Sequence, residues 1–118
     1  MAEKTSILVD IKKMLGPESD YDHFDQDIII HINSALNILR QLGVGPSSGF
    51  QIITGRETWE DYWQGVQEVP MVKSYIYARV KLIFDPPTSS YVTEALKEQI
   101  KEFEWRCNVD VETPALMI

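Results

Sequence analysis

Apolar residues recur every three or four positions along much of the chain, which is the spacing of amphipathic helices. The clearest stripe is formed by Ile28, Ile32, Ala35, Leu36 and Leu39. The spacing predicts four longer helices, and one helix of only one or two turns. In chain order their approximate ranges are 5–15, 24–42, 58–65, 70–83 and 89–106.

Helix-breaking residues separate these stretches. Gly16-Pro17 ends the first predicted helix, and Asp85-Pro86-Pro87 ends the fourth. Pro70 suits the first position of that fourth helix. The glycine-rich segment 43–49 is typical of a loop, and 50–54 alternates weakly, as a short extended segment does. The chain is therefore predicted to be mostly α, a small bundle of about four to five helices with an irregular middle.

The last predicted helix has one charged and one apolar face. We expect its inner face to consist of Val92, Leu96, Ile100, Phe103 and Cys107. From Val109 onward apolar and acidic residues alternate, and Pro114 disfavours a helix. The sequence thus predicts a helical domain over 1–108 and an extended apolar C-terminal arm over 109–118.

Charge and cysteine content narrow the class of protein. Eighteen Asp and Glu against eleven Lys and Arg give a formal net charge of −7. Such a chain is poorly suited to binding nucleic acid, because phosphate contacts need an excess of Lys and Arg.

The single cysteine, Cys107, cannot form an internal disulfide, and its place on an apolar face predicts a core position. With no signal peptide, and no apolar run near the roughly 20 residues that cross a bilayer, we expect a soluble cytoplasmic protein without membrane association.

Candidate catalytic and metal sites are weak. The acidic run 20–27 departs from a calcium-binding loop at its fifth, sixth and twelfth positions, which are Phe24, Asp25 and His31. N-terminal capping of the second helix explains this run better. Asp27 and His31 could share a metal ion, but two ligands do not make a site. We expect no enzyme, no metal and no cofactor.

Three aromatic residues, Trp59, Tyr62 and Trp63, crowd the short third helix, which Thr58 is placed to cap. So small an element cannot bury all three against itself. They either fill the main core or face a neighbouring subunit, since Trp and Tyr are common anchors of interfaces. Both alternatives stay open, and the subunit interface is the functional candidate.

Three stretches carry a family resemblance: 27–34 continued by 41–46, then 72–90 with its Phe84-Asp85-Pro86-Pro87 break, then 97–106 with its Glu104-Trp105-Arg106 end. The similarity runs in order over most of the chain, from about residue 7 to 109. Together the three stretches resemble the head–tail connector proteins (adaptors, or head-completion proteins) of long-tailed phages and prophages of Gram-positive bacteria.

The resemblance implies a helical, non-catalytic protomer that assembles as a homo-oligomeric ring, commonly twelve-fold, beneath the portal protein. The ring extends the channel through which DNA passes without specific binding, and it presents a surface to the next head-completion or tail protein. The protein is then a virion component that assembles in the host cytoplasm. In this family the C-terminal segment contributes to portal docking, and the candidate residues here are Val109, Val111, Leu116, Met117 and Ile118.

Within such a ring the net negative charge of the chain is expected to have a function. An acidic wall repels phosphate and lets the genome slide. The candidates for lining the channel are Asp20, Asp22, Asp25 and Asp27, and also the outer face of the last helix. Two other interpretations stay open. One is a small helical binding or regulatory protein without catalytic activity, and the other is a metal-dependent hydrolase built on 20–27 and His31.

Overall fold

Residues 5–16, 24–65, 68, 69 and 71–116 are described by a computed structural model of the chain, with side chains as far as Cys107 in the last helix. Within these ranges the backbone forms five helices and no strand. They are α1 (Ile7–Leu15), α2 (Asp25–Gln41), α3 (Trp59–Trp63), α4 (Val72–Phe84) and α5 (Ser90–Leu116). The predicted mostly α class is confirmed, and the first four predicted helices agree with the structure to within two residues at each end.

Side-chain caps determine where two of the helices begin. At α1 the Ser6 hydroxyl accepts a hydrogen bond from the Val9 amide at 3.2 Å. At α3 the Thr58 hydroxyl accepts from the Asp61 amide at 3.1 Å, and the Asp61 carboxylate accepts from the Thr58 amide at 3.0 Å. This reciprocal capping box satisfies two amides at the start of a helix of only five residues. The role predicted for Thr58 is confirmed.

α4 is the central helix, and α1, α2 and α5 pack against it. Its buried side chains are Val72, Tyr75, Ile76, Ala78 and Val80. These positions do not share one narrow stripe, as is usual for a helix that has neighbours on several sides. α2 contributes its predicted apolar stripe to this core, and α5 contributes Ile100, Phe103 and Cys107. The core position predicted for Cys107 is confirmed.

The irregular middle of the chain is tied to the start of α1. The Ile7 amide donates to the Glu57 carbonyl at 2.9 Å, and the Trp59 amide donates to the Thr5 carbonyl at 3.2 Å. Together they form an isolated antiparallel bridge between Ser6 and Thr58. The segment 50–54 is irregular and forms no strand. The bridge therefore brings α3 directly beside α1.

Details of the second half differ from the sequence prediction. The alternation after Val109 predicts an extended arm, but the backbone continues as helix to Leu116. Adding a residue to an existing helix is far easier than starting one, and Pro114 lies in the last turn, only two residues before the helix ends. Val92 is also 44% exposed although its spacing predicts an inner position. Pro70, Met117 and Ile118 lie outside the described residues.

Candidate assembly surfaces

The aromatic residues of α3 lie in the core of the protomer. Trp59 and Tyr62 are each 1% exposed and Trp63 is 5% exposed. The subunit-interface prediction for these three residues is therefore corrected, because side chains buried to this extent offer no surface to a neighbour. α3 reaches the core because the bridge at Thr58 holds it against α1.

A polar node joins α1, α3 and α4 beside this aromatic cluster. The Trp59 indole donates to the Asp10 carboxylate at 2.8 Å. The Lys73 ammonium lies 3.0 Å from the same carboxylate oxygen and 5.2 Å from the centre of the Trp59 ring. One carboxylate thus satisfies the indole and also pairs with a cation that stacks on the indole. The node connects three helices through three side chains.

Tyr62 anchors the loop 43–49. Its ring meets Phe50 edge to face, with the ring centres 5.5 Å apart. Gly45 lies against the same ring, so close that a Cβ at this position would lie 2.7 Å from Tyr62 Cζ. Burial raises the pKa of the Tyr62 hydroxyl, and the hydroxyl has no hydrogen-bond partner among the described residues. The loop is therefore held by shape and apolar contact at this point.

An open groove of about 550 Å³ lies between α2 and the segment 48–53. Asn33 forms one side of it and holds the Ile52 backbone twice, accepting from its amide at 2.8 Å and donating to its carbonyl at 2.9 Å. Arg40 lies along the groove and donates from Nε to the Ser47 carbonyl at 3.1 Å. Ile53, at the rim, is 72% exposed. The groove thus combines amide groups and one guanidinium with an exposed apolar side chain.

α5 presents a second surface. Within the described residues it packs mainly against α4, so the opposite side of the helix is open. Two aromatic side chains stand on that open side, Tyr91 at 83% and Trp105 at 64% exposure. Large exposed aromatic side chains on a helix of 27 residues are typical of an interaction surface.

A hydrogen-bonded seam fixes α5 on α4. The Tyr75 hydroxyl donates to the Glu104 carboxylate at 2.6 Å, and the Arg79 guanidinium lies 3.2 Å from the same oxygen. The Tyr75 ring stacks on Phe103 with 4.8 Å between ring centres. Burial raises the pKa of Tyr75, and the bond to Glu104 adds to this effect. The seam determines which side of α5 faces outward.

The predicted channel-lining carboxylates are only partly within the described residues. Asp25 forms an ion pair with Lys12 at 2.7 Å, and Asp27 is exposed on the first turn of α2. Asp20 and Asp22 lie outside the described residues. Among the residues that are described, no three His, Cys, Asp or Glu side chains are placed to hold one metal ion.

Sequence reasoning missed the groove and the exposed aromatic residues on the open side of α5. Asn33 lies on the border of the apolar stripe of α2 and gives no sign of its bond to residue 52. One available signal was the absence of any Asp or Glu between Asp27 and Glu57 in so acidic a chain. The heptad spacing of Tyr91, Glu98 and Trp105 was another. Both are charge and spacing patterns that the apolar periodicity does not include.

Comparison with known proteins identifies a family. Residues 7–114 match the family model described as phage connector protein. Neither the curated proteins nor the solved structures gave a match. No helix in the described ranges is both long enough and apolar enough to span a membrane. Since the match takes in α1 to α4 and nearly all of α5, the chain belongs to the phage connector protein family.

Proposed function

We propose that this protein is a structural subunit of the head–tail connector that assembles as a ring beneath the portal, continues the DNA channel and meets the next head-completion or tail protein. The observation that carries the proposal is the family match over 7–114. The ring is commonly twelve-fold in the resembling family, and no catalytic role is assigned to any residue. The protein acts in the virion after assembly in the host cytoplasm.

The surfaces described above support an assembly role. The open side of α5 and the rim of the α2 groove expose aromatic and apolar side chains that are costly to leave in water. A partner protein that covers either surface removes this cost. A small regulatory protein is the alternative, and it needs no contact with portal.

The acidic start of α2 is proposed to face the DNA path. Asp25 and Asp27 occupy the first turn of that helix, and Asp20 and Asp22 precede it in the chain. Carboxylates on a channel wall repel phosphate, so DNA passes without being held. Replacing all four with asparagine is expected to slow DNA passage and leave assembly unchanged.

The C-terminal end of the chain is proposed to attach to portal. Its candidate residues are Val109, Val111, Leu116, Met117 and Ile118. Because these residues follow the part of α5 that packs on α4, deleting 115–118 is expected to weaken portal attachment and to leave the melting temperature of the domain nearly unchanged.

The test is co-sedimentation of the full chain with purified portal protein. The proposal expects the two proteins to migrate as one complex with several copies of the chain. A chain that stays monomeric and separates from portal would contradict the proposal and favour the regulatory alternative. The deletion of 115–118 provides the matched variant, with its folding checked by circular dichroism.

A further inference from the structure

Charge is segregated between two parts of the chain. No Asp or Glu occurs between Asp27 and Glu57, although the whole chain has eighteen such residues, and this acid-free stretch contains Arg40 and Arg56. α5, in contrast, contains six Asp and Glu against three Lys and Arg. The stretch 28–56 is therefore free of carboxylates, whereas α5 has a net negative charge in which Glu94, Glu98 and Glu102 each have a basic partner on the same helix.

The two parts lie on different sides of the central helix. α4 packs against both α2 and α5. The surface built from this stretch, here called the α2 face, consists of the groove side chains Asn33, Asn37, Arg40 and Ile53 with Ile30, which is 58% exposed one turn before Asn33. The Glu57 carboxylate, which accepts from the Ile53 amide, lies at its edge. The α2 face lies on the outer side of α2, since the inner side supplies the buried stripe.

The exposed surface of α5, here called the α5 face, follows a heptad. Tyr91, Glu98 and Trp105 succeed one another at intervals of seven residues, which places them in one row that extends about 21 Å along the helix. All three are exposed, whereas Ile100, Phe103 and Cys107 bury the opposite side. The row is an acidic centre between two aromatic anchors.

We propose that the α5 face of one copy of this chain docks on the α2 face of a second copy, so that the subunits associate head to tail. This inference rests on the proposed connector function and names the subunit contact within it. The exposed aromatic side chains of the α5 face cover Ile30, Ile53 and the groove, and Glu98 lies opposite Arg40. Aromatic anchors surrounded by complementary charge are the usual composition of a stable contact.

The charges on each face favour this arrangement over a symmetric dimer. Two α2 faces brought together place Arg40 against Arg40, and two α5 faces bring together two helices of net negative charge. Contact between different faces leaves one α2 face free at one end of the growing oligomer and one α5 face free at the other, so subunits add until a ring closes. A closed ring is the assembly that the connector function needs.

The existing ion pairs of α5 do not prevent this contact. Glu98 lies 3.8 Å from Lys101, and both side chains are about three-quarters exposed. Exposed pairs of this kind contribute only about 0.2–1 kcal/mol because water screens them. Within the described residues Arg40 has no carboxylate partner, and its guanidinium bonds only the Ser47 carbonyl. A partly desolvated pair between Glu98 and Arg40 therefore replaces a weak one.

The test uses two charge reversals, each with a matched control. Arg40→Glu reverses the α2 face, and Glu98→Lys reverses the α5 face. Lys13→Glu and Glu60→Lys make the same changes of charge at exposed positions outside both faces. Self-association of the full chain, alone and with portal protein, is measured by sedimentation velocity, and folding is checked by circular dichroism.

We expect each reversal alone to weaken self-association by about tenfold or more, and the controls to behave like wild type. An equimolar mixture of Arg40→Glu and Glu98→Lys should restore assembly, because every contact in an alternating ring is then attractive. Trp105→Ala should weaken assembly while the helix stays folded, and Arg40→Gln serves the same purpose if Arg40→Glu does not fold.

Other outcomes overturn the inference in distinguishable ways. If both reversals assemble as well as wild type, the faces are wrong and the connector proposal stands. If wild-type protein assembles neither alone nor with portal, the connector proposal and this inference both fail. If wild type binds duplex DNA and Arg40→Glu does not, the α2 face serves nucleic acid and not a second subunit.

Discussion

Replacing Gly45 with alanine tests how the 43–49 loop is held on the core. The backbone at Gly45 has φ +85, which disfavours any residue with a Cβ, and the new Cβ would lie 2.7 Å from Tyr62 Cζ. Backbone strain of this kind costs about 1–2 kcal/mol, and overpacking a buried ring adds about 1–3 kcal/mol. We expect Gly45→Ala to lower the free energy of unfolding by about 2–5 kcal/mol, the sum of those two effects.

Gly65 provides the control for the backbone contribution. Its φ of +82 is nearly the same, but a Cβ there meets no described atom within 4 Å. Gly65→Ala should therefore show only the backbone cost of about 1–2 kcal/mol. The difference between the two variants isolates the contact with Tyr62.

Urea denaturation followed by tryptophan fluorescence measures both variants, because two of the three tryptophans, Trp59 and Trp63, lie in the core next to Tyr62. The double variant Gly45→Ala with Tyr62→Phe should lose less stability than the two single changes added together, since the hydroxyl that crowds position 45 is removed. Equal destabilisation by Gly45→Ala and Gly65→Ala refutes the reasoning.

Three further predictions concern single side chains. Tyr62→Phe alone should leave stability unchanged or raise it by about 1 kcal/mol, because the buried hydroxyl has no partner among the described residues; a clear loss in the same urea assay contradicts this. Asp10→Asn should cost about 1–2 kcal/mol, because the Lys73 ion pair is lost while the Trp59 bond can remain. In a double-mutant cycle with Lys73→Met the two losses should not add, and full additivity means that the node does not act as a unit. Partial burial raises the pKa of Glu57, but bonds from the backbone amides of 53–55 outweigh it and leave the pKa below its ordinary value of 4.5. The carboxylate therefore adds stability above that pH, so the gap in urea midpoint between wild type and Glu57→Gln should shrink as pH falls through the lowered pKa, and a gap independent of pH is the contrary result.

Periodicity predicts the helices because each of them buries a continuous stripe or ends at a strong breaker. The Gly16-Pro17 and Asp85-Pro86-Pro87 breaks lie where α1 and α4 end, to within a residue. The extent of α5 escapes this logic. Neither the alternation after Val109 nor Pro114 stops a helix that is already formed.

The sites are harder to predict because they depend on contacts between distant parts of the chain. From sequence alone, Trp59, Tyr62 and Trp63 suit a core and an interface equally well. The bridge between Ser6 and Thr58, which joins residues far apart in the chain, places them in the core. Val92 fits the apolar stripe of α5, but spacing cannot show how far along α5 the elements that pack on it extend. The groove likewise exists because Asn33 holds a segment 19 residues further along the chain.

The central claim is that this chain is a building block of the phage connector. The most direct measurement is a mass-spectrometric count of its copies in purified phage particles relative to the portal protein. The account predicts a fixed stoichiometry of about one copy per portal subunit, the ratio of two stacked rings that share one symmetry. Its absence from mature particles that contain portal and tail contradicts the account.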